Sequence, residues 1–376
     1  MSAFRKLKAY ALGQNLDMDQ TSAQLQAAEV PVSDAPCRGC ADPCDEGHEE
    51  YPKFDVDMET EMLGSVKPYG RQIVISTGKS DWAREVTDAS GSLAAFVSHV
   101  SSPGLFGGGG GKEKGRKEKD KPVNGATKAG VSGVFPADPA KIHKVTILNG
   151  SHRTVSDDDD KETVLVFPDY KVVTEVAVSP AGAEELWEHA LSPSVNLHST
   201  PRDTKGTSVK SWIIPYACVI LLCSHKRRDN RCAIAAPKLE HTLTASLERE
   251  GWEVHSQVEA PSLSGPALED DPVLSALASE EEQQTEILRR LHSIDAAHAE
   301  SKRALILFCS HVGGHKYAGN VIINTPQGVS IWYGRVTPHE VDAIVKETII
   351  GGRILPALLR GGMNLCHPGH KSLNDW

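Results

Sequence analysis

The sequence predicts an α/β protein on three observations: short apolar runs rich in β-branched residues recur along it, helical patterns fall between them, and turn-forming residues separate the two. RQIVIST (71–77) reads as a buried strand and GKSDWAREV after it as a turn entering a helix. KVTILNG (144–150) and ETVLVFPDYKVVTEV (162–176) supply further strands, and SPAGAEELWEHAL opens on a serine suited to cap a helix. Further along, SWIIPYACVILLC reads as one strand or two short ones. KLEHTLTASLEREGWEVHSQV reads as a helix, a break at Gly251 and a strand, and ALILFC (304–309) as another strand. VIINTPQGVSIWYG has the pattern of a hairpin, and TPHEVDAIVKETIIGG that of a helix with a clear start and stop.

A chain of 376 residues fits two domains with room for tails and insertions. Residues 1–30 are expected to form a flexible N-terminal tail or at most a marginal helix. The first domain is expected over 31–200, interrupted by GLFGGGGGKEKGRKEKDKPVNG (104–125), whose composition opposes a packed structure. A seam at NLHSTPRDTKGTS (196–208) separates it from a second domain over 208–376, itself carrying an acidic insertion at 259–301. The four aspartates at 157–160 read as an exposed loop, since they lack the spacing of a calcium loop.

The formal net charge of −10 gives no global electrostatic case for a nucleic-acid partner. No apolar stretch is long enough for membrane insertion, and the N-terminus lacks a secretory signal. A cytoplasmic location is expected, with the mitochondrial matrix as second choice on the strength of basic residues at 5, 6 and 8. In such a reducing compartment the eight cysteines, 37, 40, 44, 218, 223, 232, 309 and 366, read as ligands, redox thiols or buried side chains.

The chemistry concentrates in two loops that each follow an apolar run. LLCSHKRRDNRC carries Cys223 and Cys232, and LILFCSHVGGHKYAGN carries His311 and His315. Two thiolates and two imidazoles brought together suit zinc or an iron–sulfur cluster, and Gly313 and Gly314 allow backbone to curve closely around an inorganic group. The residues alone leave other readings open: a reversible dithiol or buried thiols for the cysteines, and acid–base, anion-binding or structural roles for the histidines. Cys309 reads as a packed strand residue. Arg227, Arg228, Asp229 and Arg231 form a solvated loop or a recognition surface for a redox partner. Cys37, Cys40 and Cys44 form C-x2-C-x3-C, where His48 would have to complete a metal set; redox, assembly and structural roles stand beside that reading.

CRGCADPC, ISTGKSDW, CSHKRRDNRC and above all HVGGHKYAGNVII resemble the fungal sucrase/ferredoxin-like family, whose members include an actin patch distribution protein. The resemblance implies two thioredoxin-like domains, the second a thioredoxin-like ferredoxin. It further implies a [2Fe-2S] cofactor held by Cys223, Cys232, His311 and His315. On this reading the protein is a one-electron carrier rather than a substrate-transforming enzyme, with an electron donor and an electron acceptor as protein partners. Asn374-Asp375-Trp376 resembles a tail recognised by the cytosolic iron–sulfur targeting complex. The alternatives are a zinc-stabilised interaction protein linked to actin organisation, and a thiol-dependent oxidoreductase using Cys37 and Cys40.

Overall fold

All six residues of Arg71–Ser76 (β1) are buried, as a short apolar run covered on both faces requires. Val145–Gly150 (β3) runs parallel to it, Lys161–Phe167 (β4) antiparallel on its other side, and Lys171–Ala177 (β5) antiparallel to β4. The second half repeats this arrangement. Cys218–Cys223 (β7), again buried throughout, is flanked by parallel Arg303–Cys309 (β9) and antiparallel Val321–Asn324 (β10), and Ser330–Tyr333 (β11) pairs antiparallel with β10. The orders β3-β1-β4-β5 and β9-β7-β10-β11 therefore match in sequence and direction.

In this computed structural model, which describes residues 18–41, 44–52, 54–101, 130–200, 207–294 and 302–375, the two arrangements share one mixed sheet of twelve strands. They join where Gly150 of β3 faces Cys309 of β9. The junction is nearly symmetric. Ser151 N–H donates to Phe308 O (2.9 Å) and Ser310 N–H to Asn149 O (2.8 Å), while the Ser151 and Ser310 hydroxyls accept from Phe308 N and Asn149 N at 3.0 Å each.

Several elements depart from the sequence expectation, each because tertiary burial outweighs local composition. Residues 18–30 are no loose tail: Met18–Ala27 (α1) is helical, and Leu25 and Val30 are buried in the core of the second half. The stretch from residue 31, expected to open the first domain, also lies against that half; Val32 bridges Ile354, and Ser33 Oγ donates to Glu347 Oε2 (2.6 Å). GKSDWAREV leads, as a turn, into one short 3-10 helix, Val86–Asp88, and the next α-helix is Leu93–Ser101 (α2). Lys210–Ile213 (β6), read as the opening of the second domain, instead pairs with β5 at the edge of the first half. Val134–Phe135 (β2) pairs with Leu359–Met363 (β12) at the opposite edge of the sheet. The expected insertion at 104–125 lies outside the described residues.

The remaining patterns are realised closely. Ser179 caps Pro180–Leu186 (α3) by accepting from Gly182 N–H at 3.0 Å. Thr337 and Glu340 form a reciprocal cap at the start of the helical stretch that runs to Ile350, and Gly352 adopts φ 61° just beyond it. Inside the acidic stretch 259–301 lies a helix, Glu280–His292, with a Ser279/Glu282 capping box; its Ile287 and Leu291 are fully buried against one face of the sheet, so the described part of this stretch is packed structure. On the other face, Asn230–Arg249 (α4) buries Leu239, Leu243 and Leu247, each worth about 1.5–3 kcal/mol. Among the described residues no helix is long and apolar enough to cross a membrane.

Candidate metal centre

Parallel neighbours β7 and β9 end side by side, with Cys223 in register with Cys309. A strand end in a parallel pair is a rigid root for the loop that follows, so both candidate loops leave the sheet at one place. Cys223 is the last residue of β7 and is 3% exposed. Cys232 lies in the first turn of α4, not in a loop as the sequence suggested, and is also buried. Asp229 caps that helix by accepting from Arg231 N–H (3.0 Å), and also receives Arg231 Nε (2.9 Å) and Nη2 (2.7 Å). The basic loop is thus internally paired rather than simply solvated.

The Cys223 thiol is held well below its ordinary value, first by a hydrogen bond from the Cys232 thiol and then by His311 and the Val312 N–H, against the opposing effect of burial. The same hydrogen bond raises Cys232. Of the two thiols, Cys223 is therefore the more readily ionised. Cys309 is pushed up by burial and by the charge on Cys223, and so behaves as a packed thiol.

His311 and His315 follow β9, their rings 5.5 Å apart and tilted by 39°. His311 Nδ1 is buried with no hydrogen-bond partner. His315 is exposed at the rim, where burial lowers its pKa and the charge on Asp229 acts in the opposite sense. Gly313 (φ 77°) and Gly314 (φ 66°) turn the chain between them, and a Cβ on Gly314 would stand 2.3 Å from Arg360 Nη2. Glycine is required there both by the left-handed backbone and by the close approach of the guanidinium.

Sequence reasoning missed Arg360 and His225. Arg360, 2% exposed in β12, donates from Nη1 to Asn320 Oδ1 (2.6 Å) and Gly313 O (3.2 Å). Burial pulls its pKa down to about 10, while the Cys223 charge, Tyr317 and Cys232 act to raise it. It thus brings a positive charge behind the thiols. An arginine inside LPALLRGGM was the available signal, since a buried charge requires a partner. His225 is 1% exposed; its Nδ1 accepts from His311 N–H (3.2 Å), and its Nε2 lies 3.0 Å from Trp82 O, which fixes the proton on Nε2. Ser224 Oγ donates to Ser80 O (2.9 Å) and Arg227 N–H to Asp81 Oδ1 (3.1 Å). ISTGKSDW and CSHKRRDNRC are therefore two sides of one contact between the halves, which supports the histidine loop from behind.

The four candidate ligands do not converge on one point. Among the described residues, the groups of three or more Cys, His, Asp or Glu ligand atoms lying within 4.8 Å of one another are Cys40/Cys44/His48/His339, Glu46/His48/Asp342 and Glu253/His255/Glu259. A single tetrahedral ion with zinc-like bond lengths needs its ligand atoms about 3.3–3.8 Å apart. Cys223, Cys232, His311 and His315 adjoin one another without meeting that demand. At the C-terminus, Asn374 Nδ2 donates to Ile349 O and Ile350 O (3.2 Å each), Asp375 is exposed, and Trp376 lies outside the described residues.

Fold and site together define an α/β protein with two cysteines and two histidines gathered beyond the ends of two parallel strands. A sucrase/ferredoxin-like family model matches residues 62–361, and the chain belongs to that family. It is 56% identical over 230 residues to altered inheritance of mitochondria protein 32 of Clavispora lusitaniae, covering 58% of this chain and 64% of that protein, just under two thirds of its length. The protein of the same name in Debaryomyces hansenii is 32% identical over 61% of this chain and 67% of its own. Actin patches distal protein 1 of Saccharomyces cerevisiae is 22% identical over 88% of this chain and 84% of its own. No solved structure matches.

Proposed function

We propose that this protein is a one-electron carrier in which Cys223, Cys232, His311 and His315 hold a [2Fe-2S] cluster. The carrying observation is the buried, unpartnered His311 Nδ1 beside a hydrogen-bonded Cys223–Cys232 pair, in a set spread too widely for one ion. A two-iron group divides its ligands between two centres, and a pair of thiols followed by a pair of imidazoles suits that division. The matching strand orders of the halves support reading each as a thioredoxin-like unit, the second being the ferredoxin.

When bound, the cluster supplies reversible one-electron chemistry at a potential raised by neutral imidazole ligands. The chain's own residues set the conditions for it. Buried Arg360 opposes the negative charge at the cysteines, so it favours the reduced state. His225 and the glycine turn orient His311, while exposed His315 offers the short route to a docking partner and a nitrogen open to solvent protons. Cytoplasmic action, and recognition of Asn374-Asp375-Trp376 by the iron–sulfur targeting complex, belong to the same proposal.

The test is a spectroelectrochemical titration across the pH range of histidine. The expected result is reversible one-electron bleaching whose potential rises as pH falls, by up to about 59 mV per pH unit where one proton accompanies the electron. A pH-independent potential would remove the role of His315 in protonation, and the absence of reversible bleaching would remove the carrier. The relatives' names connect to actin patches and mitochondrial inheritance, and we infer that such effects lie downstream of electron transfer.

A further inference from the structure

A second set of thiols and imidazoles lies apart from the site above, on the segment that precedes β1. Cys40 and Cys44 meet His48 and, from nearly three hundred residues later, His339, with one ligand atom of each lying within 4.8 Å of all the others. Cys40 Sγ is 3.2 Å from His339 Nδ1, Cys44 Sγ is 3.5 Å from His48 Nδ1, and the two rings meet edge to face at 5.4 Å. The sequence placed Cys37 with this group. The structure instead packs Cys37 against the core of the second half, and His339 completes the four.

The outer nitrogens are equally informative. His339 Nε2 lies 2.8 Å from Glu50 Oε1, and His48 Nε2 lies 3.7 Å from Glu46 Oε2. Each imidazole thus turns Nδ1 toward the thiols and Nε2 toward a carboxylate, the orientation that fixes the tautomer and strengthens the imidazole as a ligand. His339 is 6% exposed and held in the Thr337/Glu340 capping turn. Two thiolates and two imidazoles this close, closed by four protein ligands, suit a structural tetrahedral zinc site.

We propose that Cys40, Cys44, His48 and His339 bind one Zn2+ that fastens the described residues of the segment before β1, 37–41, 44–52 and 54–61, across the second half of the molecule. Beyond the site this strap is tied mainly by polar contacts. Tyr51 OH donates to Val336 O (3.0 Å), Lys316 Nζ meets Asp57 Oδ2 (3.1 Å), Arg335 Nε donates to Asp57 O (2.7 Å), and Tyr317 OH donates to Glu61 O (2.9 Å). Asp55 O accepts from Arg231, next to Cys232. The metal therefore secures a covering that borders the candidate cluster loop without ligating it.

The experiment measures zinc and iron separately in the purified full chain, wild type and variants, and titrates Co2+ into zinc-depleted protein. Expected are one zinc per chain in the wild type and the intense visible bands of tetrahedral Co2+. Cys40→Ser and Cys44→Ser should lose zinc and keep the iron content of the wild type, whereas Cys37→Ser keeps both and Cys223→Ser keeps zinc. Failure of the electron-carrier reading would appear in the iron alone, so the two outcomes separate. A wild-type chain with no zinc and no tetrahedral Co2+ spectrum would overturn the proposal, as would full zinc retention in a Cys40→Ser/Cys44→Ser double variant. The wild-type measurements stand even if a variant does not fold.

Discussion

The two halves of the sheet carry the same strand order and meet at a nearly symmetric junction, yet the candidate ligands Cys223, Cys232, His311 and His315 all follow strands of the second. Cys223 ends β7 where Ser76 ends β1, and His311 follows β9 in the place where His152 follows β3. Ser76 donates its hydroxyl to Glu162, and His152 is fully buried. Equivalent positions are therefore filled for opposite purposes: in the first half polar groups are sealed in, and in the second they gather around two thiols. The frame is common to both halves, and the chemistry resides in a few side chains at the strand ends.

The sharpest way to break this comparison is to remove a ligand on one side and its counterpart on the other. Cys223→Ser is expected to abolish stoichiometric iron binding, while Ser76→Ala leaves the iron content unchanged. Equal loss in both, read by metal analysis of folded protein, would mean that the halves do not differ in this way.

His152 gives the next largest effect. Burial pushes its imidazole down to about 4. The unfolded chain, with an ordinary value near 6.5, takes up the proton first as pH falls. The stabilisation is therefore complete above about pH 6.5 and is lost progressively toward pH 4, by about 3 kcal/mol. Denaturant unfolding of wild type and His152→Leu across that window should show the extra loss only in the wild type; parallel curves would contradict it.

Arg360 should have a smaller and purely electrical effect if the fold tolerates its replacement. Arg360→Gln is expected to lower the reduction potential by about 60 mV, equivalent to about 1.4 kcal/mol for one electron, and Arg360→Lys to restore part of it. An unchanged potential in folded Arg360→Gln would remove the guanidinium from the electrostatics of the site.

Much of this was legible in the sequence because it depends on local patterns. The apolar runs became β1, β7 and β9, and the cap and glycine signals bounded the helix after Thr337. Cys223, His311 and His315 stood out by residue type and by their place at or just after an apolar run, and those runs are β7 and β9; Cys232 falls instead in the first turn of α4. What stayed hidden depends on contacts distant in sequence. α1 looked too polar to pack, but Leu25 inserts into a core made by strands two hundred residues away. Two domains looked separable, but β6, β2 and the described residues of 31–61 each lie against parts of the chain that local composition could not indicate. His339 reads as part of a helix cap, and its meeting with Cys40 exists only in three dimensions.

The account depends most directly on what Cys223, Cys232, His311 and His315 hold. Iron and acid-labile sulfide should be determined per chain in anaerobically purified protein, with oxidised and reduced visible spectra of the same sample. Two irons and two sulfides per chain, with colour that bleaches reversibly on reduction and is missing from Cys223→Ser, is the predicted result. A colourless protein without sulfide, whose zinc is lost in Cys223→Ser, would contradict it and favour a zinc-stabilised interaction protein.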